Sequence, residues 1–552
     1  MHRDREGAVR AVLTALAEEI AQAAPRGWKR AELHGYAVGQ GGTGHRGFSF
    51  EPKGLYGSKD IDVHSGLNAV HTAMEAVEHL TIDLELESRG RYRAVLSERL
   101  DRAEDRGFRY LLDKASEPPE PAALQAGSDA TEAGDPDEAV ALLGEFQRRL
   151  GELLESPVEL PPPLPHWERQ ELAEDLGVAL PQDLSALYAV VDGDGGRGLL
   201  HGFGWFGLEM LAEFCGPEER WWVTRGWRRY VYCSYVDEFG PPATIRRVKD
   251  HPAWIPFATD TFGDYLAVDM APGPRGRPGQ VILIGRHQDE GPIYVAESVT
   301  ELLRRHVDAL ASDRVKRDED DEGLWINAGD VHHHKRGYDE TCTLKVTGRD
   351  AAPVRGMRPE TRELTVHNAP WIDLGPVRGA PVLRKFSVSN CAGLDLSPLL
   401  EAPVEVVDLG TDTIDLSGLQ GHPTVSRVVL HSAKPVDLRP LTFCPHLYAL
   451  DLTDAPLADI SCLGQLTGLR YLRMLRPQWD EFLSHQAIPA SLAVAELAEE
   501  PLQERKLYWS FDKAYLDRRP TLKDALGWAE NLTRSATDIV TIKGRFKPPR
   551  HR

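Results

Sequence analysis

Three carboxylates stand close together along the chain, at Asp260, Asp264 and Asp269. Carboxylates at such spacing suit general acid–base work or a hard-cation site. They also suit a quieter task. Asp264 follows the turn Thr261-Phe262-Gly263 and Asp269 ends an apolar run, and at such places aspartate side chains bond nearby backbone N–H groups. The structural task is the expectation. His332-His333-His334 are adjacent on a loop, where side chains do not converge on a metal. Gly39–Gly44 is glycine-rich but lacks the Lys-Ser/Thr that phosphate cradling needs, and no GxSxG, HExxH or Cys/His dyad occurs at usable spacing. The sequence therefore predicts no enzymatic activity, no cofactor and no metal.

A second group of residues suits contact. Trp205, Trp221, Trp222, Trp227 and Tyr230 form an aromatic zone, and Trp and Tyr dominate binding hot spots. Trp221 and Trp222 on one strand must point to opposite faces, which turns one toward solvent or a partner. Contact with a partner is expected of Trp205, Trp221, Trp222, Asp260 and Asp264, with the remaining aromatics in the core.

The elements that position these residues run from Leu164 to about Leu310. Leu172, Leu176, Leu180, Leu184 and Leu187 recur at helical steps. Gly177 suits a helix C-cap and Pro181 the first turn of the next helix. Trp254–Ala258, Tyr265–Asp269 and Gln280–Ile284 then alternate with Gly- and Pro-bearing turns, which describes an antiparallel meander. A helix from Ser298 to Leu310 closes the module. The motifs Leu176-Gly177…Leu180-Pro181-Gln182-Asp183-Leu184, Asp192-Gly193, Trp254-Ile255-Pro256-Phe257, Gly263-Asp264…Asp269, Gly279-Gln280-Val281-Ile282 and Val295-Ala296-Glu297-Ser298, in this order, resemble the SUKH superfamily of Smi/Knr-like proteins. The resemblance implies a non-catalytic α+β domain at 164–312. It also implies an immunity protein that binds a toxin domain of a bacterial polymorphic toxin system, or else a multi-partner scaffold for signalling or cell-wall assembly.

Before this module, residues 1–113 read as an α+β domain. Val9, Val12, Leu13, Leu16 and Ile20 mark an amphipathic helix, and Leu80–Glu87 and Arg91–Leu96 alternate around the turn Ser88-Arg89-Gly90. This order, with Trp28 ahead of the first strand, resembles the YezG-like immunity family. Residues 114–163 are rich in Pro, Ala and Glu and read as a linker carrying one helix, Asp135 to Leu154.

Beyond the module, 313–360 reads as a charged linker and solenoid N-cap with the acidic run Asp318–Glu322. From 361 to 475 an LxxLxL frame recurs at Leu383, Val404, Val425, Leu447 and Leu469, with Asp373, Asp395, Asp415, Asp437 and Asp459 in phase. The frame resembles the leucine-rich repeat, in which one short strand per unit stacks into a parallel sheet. Residues at the variable positions of its concave face, Arg384, Glu405, Arg427, Tyr448, Tyr471 and Arg473, mix both charges with tyrosine, as a protein-binding surface does. The repeat is expected to end at Leu475. Residues 476–552 are then expected to form a cap, with a strand at Leu507–Phe511 and a frayed basic tail. The fold class is multidomain α+β: an N-terminal α+β domain, a central SUKH domain with an antiparallel sheet, and a C-terminal solenoid with a parallel sheet.

Composition bounds the function. The 552 residues carry a formal charge of −21, which opposes nucleic-acid or anionic-membrane binding and steers a basic protein partner. Cys215, Cys233, Cys342, Cys391, Cys444 and Cys462 form no CxxC pair and read as free thiols. The first residues lack a signal-peptide core, and no apolar run approaches a membrane span, so a cytoplasmic protein is expected. Oligomeric state stays open.

Overall fold

Alternation of buried and half-buried residues along Arg30–Ala37 (β1) turns one face of this strand into the core of the first sheet. The computed structural model describes residues 3–39, 42–52, 62–76, 79–102, 107–120, 125–200, 202–215, 226–227, 235–288, 290–312, 314–317, 324–485, 487–499, 520–534 and 538–548. Trp221, Trp222, Tyr230, Cys233, the Asp318–Glu322 run and the Leu507–Phe511 strand lie outside them. The described chain forms two units, 1–116 with 345–357 and 365–552, and 117–344 with 358–364.

In the first unit, β1 pairs with Thr43–Glu51 (β2) and Leu80–Glu87 (β3), and β3 makes the expected hairpin with Arg91–Ser97 (β4). Gly90 turns that hairpin with φ +85°, a conformation open to glycine at no steric cost. The helix Arg3–Ala23 lays Val9, Leu13, Leu16 and Ile20 on one face of the sheet, where Leu33, Leu84, Tyr92 and Leu96 meet them. After Leu100–Arg102 (β5) and Gly107–Leu111 (β6), the chain enters the other unit.

The second unit holds the antiparallel sheet β11-β10-β9-β8-β7, formed by Gly204–Trp205 (β7), Trp254–Thr259 (β8), Asp264–Asp269 (β9), Gln280–Gly285 (β10) and Ile293–Ala296 (β11). This is the meander the turns predict. Gly177 is left-handed at φ +64°, while Pro181 stands one residue outside the helix Gln182–Tyr188, as its N-cap. Ser298 caps the helix Val299–Ala311 by accepting from Glu301 N at 3.1 Å. The helix of the Pro-rich segment, Pro136–Leu154, docks here, with Ala139 and Leu143 in the module's core. A short hairpin of Val315–Arg317 (β12) and Leu324–Ile326 (β13) follows. Arg362, 4% exposed, ends the unit against Asp237 at 3.1 Å and Glu238 at 3.7 Å, and Tyr338 donates to the same Asp237. Removing either charge alone would leave the other buried and unpaired.

The solenoid contains Thr343–Thr347 (β14), Glu363–His367 (β15), Lys385–Cys391 (β16), Val406–Thr411 (β17), Arg427–His431 (β18), Ala449–Asp454 (β19), Tyr471–Met474 (β20) and Val494–Ala498 (β21). From β16 to β21 the strands are parallel. Phe386, Val407, Val428, Leu450, Leu472 and Ala495 form the inner row, each fully buried. The phased aspartates have one job. Asp373, Asp395, Asp415, Asp437 and Asp459 each accept from the backbone N–H two residues on, at 2.8–3.0 Å. Each thereby starts a short turn that returns the chain to the next strand.

Two expectations change. The parallel ladder does not stop at Leu475: the helix Arg476–His485 takes the place of a turn, and β21 adds one more strand in register. The described part of the basic tail, up to residue 548, is not frayed. Ile539–Arg545 (β22) pairs with β4 along seven residues and completes the first sheet as β2-β1-β3-β4-β22. In return, β6 pairs antiparallel with β21 and, with β5, ends the solenoid sheet. An exposed sheet edge invites foreign pairing, and each end of the chain covers an edge built by the other. Cys342, Cys391, Cys444 and Cys462 are free thiols.

Candidate functional site

The central carboxylates are occupied by backbone and amide donors. Asp260 Oδ1 accepts from Phe262 N at 2.8 Å and Asp264 N at 3.0 Å, which shapes the β8–β9 turn. That turn holds Thr261 at φ +67° and presents Phe262 at 74% exposure. Asp264, buried, accepts from His287 N and from Gln288 Nε2, both at 2.9 Å, and so ties the turn after β10 to the start of β9. Asp269, fully buried, accepts from Ala271 N and Gln280 Nε2 at 2.9 Å each. Burial pushes its pKa up to about 7 against these hydrogen bonds. The three groups therefore serve turns and strand ends.

Trp205 is a core residue, which corrects its expected contact role. It is 5% exposed, and its indole N–H donates to Tyr188 Oη at 3.0 Å while that hydroxyl donates to Phe206 O at 2.9 Å. A buried Trp needs such a partner, and Tyr188 supplies it. Trp227 is likewise buried. His334 packs edge-on against Tyr294 at 5.7 Å, and among the described residues no group of three or more His, Cys, Asp or Glu could hold a metal.

On the solenoid the register makes two outer rows. One runs Lys385, Val406, Arg427, Ala449, Tyr471, Val494, and the next runs Ser387, Asp408, Val429, Asp451, Arg473, Glu496. The first strands of this face stay partly open: Arg384, Lys385, Arg427 and His431 are half-buried. Its far end is different. Tyr448 and Tyr471, expected on an open face, are 6% and 5% exposed, and Glu405 is 8% exposed beside Arg384 at 3.7 Å. Arg473 bridges Asp451 at 2.8 Å and Glu496 at 2.9 Å, and Tyr471 donates to Glu496 at 2.7 Å. Burial alone would lower the Arg473 pKa, yet Asp451 and Glu496 hold it above its ordinary value. Burial likewise disfavours the Asp451 carboxylate, and Arg473 holds its pKa below the usual range. The pattern predicted which residues point outward; it could not predict that their neighbours would consume them.

Sequence reasoning missed Glu496, Arg109 and His431. The first two lie outside the repeat frame, so nothing in the period points to them. His431 stands between Asp454, 2.8 Å from Nδ1, and Asp408, 3.5 Å from Nε2. Burial lowers its pKa less than these carboxylates raise it, so the net shift is upward.

Comparison with known proteins separates the regions. The model of the SMI1 / KNR4 family (SUKH-1) matches residues 163–305. A "Glucan synthesis regulatory protein" of Neurospora crassa is 35% identical over 144 residues, covering 26% of each chain. The "Cell wall biosynthesis/cell cycle regulator smi1" of Schizosaccharomyces pombe is 32% identical over 171 residues, covering 29% of this chain and 33% of that protein. The "Cell wall assembly regulator SMI1" of Saccharomyces cerevisiae is 26% identical over 198 residues, covering 29% and 37%. This chain thus spans 26% to 37% of the length of these three curated relatives. Among solved structures, an internalin (inlF) of Listeria monocytogenes aligns at 14% identity and a TM-score of 0.21, covering 27% of this chain and 44% of that one. The matched residues contain the meander, the Asp264 and Asp269 braces and the capped start of the Val299–Ala311 helix, and residues 163–305 are an SMI1/KNR4 (SUKH-1) domain.

Proposed function

We propose that this chain is a non-catalytic regulator that works by binding proteins in the cytoplasm, with its SMI1/KNR4 domain docking the partner. The observation that carries the reading is the domain at 163–305, together with relatives named for cell-wall assembly and glucan synthesis. The domain's own geometry supports it, since the carboxylates best spaced for acid–base work are held by backbone and glutamine donors. A solenoid in the same chain offers a second surface, and two linked surfaces suit a scaffold that holds more than one partner.

The formal charge of −21 favours a second reading of the partner. An acidic protein attracts a basic one, as an immunity protein neutralising a toxin domain would. Affinity capture with the full chain separates the two: several regulatory or housekeeping proteins speak for the scaffold, one toxin-like protein for immunity. Capture of no protein overturns the proposal. So does a turnover abolished by Asp264→Asn in a chain that keeps its fold.

A further inference from the structure

The tail strand brings together charges that the sequence holds far apart. Antiparallel pairing of β22 with β4 sets Arg91 opposite Arg545 and Arg93 opposite Lys543. Side chains alternate along a strand. Tyr92 and Ala94 on β4 and Ile542 on β22 pack among the buried residues of the Arg3–Ala23 helix, so the four cations share the opposite face of the sheet. Directly opposite residues stand about 5 Å apart, and second neighbours along a strand about 7 Å. The four side chains therefore leave the sheet from the corners of a rectangle of about 5 by 7 Å. Like charges placed directly opposite weaken a sheet, and here two such pairs lie side by side.

Little in the surroundings offsets them. Glu85 and Glu87 are the register partners of Arg93 and Arg91 on β3, but Glu85 is bridged to Arg30 at 3.0 Å, and Arg30 also reaches Glu32 at 3.1 Å. Among the described residues, Arg91, Arg93, Lys543 and Arg545 make no side-chain ion pair, and Arg93 Nε is buried without a hydrogen-bond partner. A buried donor left unmade is costly. These residues, with Arg30, Glu85 and Glu87, line a cavity of about 670 Å³, which is within the range of small-molecule sites, about 300–1,000 Å³. Five cations to two carboxylates is a local reversal of sign in a chain of net charge −21.

We infer that this face of the N-terminal sheet binds a small anion carrying two or more linked phosphate groups. A single carboxylate would satisfy one guanidinium fork. Linked phosphates offer acceptor oxygens across the whole rectangle, and arginine forks match them two bonds at a time. An extended nucleic acid fits less well, because the acidic remainder of the chain repels a long polyanion. The inference is independent of the SMI1/KNR4 domain and its partner.

Titration calorimetry on the full chain tests it, with sodium tripolyphosphate, inorganic phosphate and a short single-stranded oligonucleotide as probes. Tripolyphosphate is expected to bind one to one, tighter than the other two, and to weaken as salt rises. Arg93→Gln with Lys543→Gln is expected to cost at least about tenfold in affinity, the scale of one lost charge-assisted bond, while Arg286→Gln in the other unit changes nothing. No binding of tripolyphosphate at low salt, unchanged affinity in the double variant, or tighter binding of the oligonucleotide would each overturn the inference. Should the double variant fail to fold, the unmodified chain decides. Tripolyphosphate must then protect the Lys543 amine from acetylation severalfold by peptide mass spectrometry, and an unprotected Lys543 refutes the site.

Discussion

Arg109 Nε lies 3.8 Å from the Glu496 carboxylate, and the two residues are register partners across the junction of β6 and β21. They are 1% and 3% exposed. The pair extends the Asp451–Arg473–Glu496 bridge by one more cation, so charges alternate from strand to strand up to the edge where the N-terminal hairpin joins the solenoid. Removing one member of such a chain costs more than the set as a whole contributes, because the others remain buried without compensation. Arg473→Met is therefore expected to destabilise the end of the solenoid by about 3–5 kcal/mol. Adding Asp451→Asn, which leaves Glu496 paired with Arg109, should restore most of the loss. Hydrogen exchange of the Tyr471–Met474 and Val494–Ala498 amides measures both; equal protection in the single and double variants would refute the bridge.

The same junction depends on a glycine. Gly107 has φ +151°, and a Cβ built there would meet Leu497 O at 2.0 Å. The contact is with backbone, which has nowhere to turn. Gly107→Ala is expected to cost at least about 2 kcal/mol, from strained backbone alone, and to free the Gly107–Leu111 strand from β21. Limited proteolysis between residues 98 and 115 should then quicken severalfold relative to the unmodified chain. An unchanged rate would mean that the hairpin holds the solenoid by other contacts.

What was legible follows from how far each contact reaches. The Leu383-Phe386-Val388 frame announced the solenoid because every unit packs on its neighbour about 22 residues away, and the aspartates at its turns act within two residues of themselves. Ser298 and Gly177 declared helix ends for the same local reason. Pairings of β22 with β4 and of β6 with β21 were not legible, since alternation along a strand shows that it is half-buried but not which strand it meets. Trp205 was misplaced because its partner Tyr188 sits on a helix whose packing no local pattern states. Tyr471 pointed outward as expected, and Glu496, outside the repeat frame, took its hydroxyl.

Asp269 should make the central unit sensitive to pH. Its folded pKa of about 7 exceeds the unfolded carboxylate value of about 3.9. As pH rises, the unfolded chain therefore releases this proton first. Between about pH 4 and pH 7 the unfolded state binds fewer protons than the folded one, and stability falls. The ceiling is on the order of 4 kcal/mol, at about 1.4 kcal/mol for each tenfold change in proton affinity. Asp269→Asn should remove this slope, because an amide has the same shape and no charge to bury. Denaturant midpoints of the unmodified chain and the variant, taken from pH 4 to pH 8, should agree at the acid end and diverge as pH rises toward 7, the variant becoming the more stable; parallel curves would contradict a protonated Asp269 in the folded state.

His431 is expected to act in a different pH window. Asp454 and Asp408 raise its pKa above the usual value despite burial, so the protonated ring is bound more tightly in the folded state than in the unfolded. Its contribution is complete below the unfolded histidine pKa of about 6.5 and is lost as pH rises through the folded value. The half-open outer face of the solenoid therefore changes charge as pH rises through the raised His431 value, leaving Asp408 and Asp454 facing a neutral ring. The ring protons of His431, followed by NMR, should titrate above the unfolded value, and Asp454→Asn should bring the midpoint down. His431→Asn should also flatten the stability of the Arg427–His431 and Ala449–Asp454 strands across this range. A midpoint at or below that of an exposed histidine would show that burial outweighs the two carboxylates.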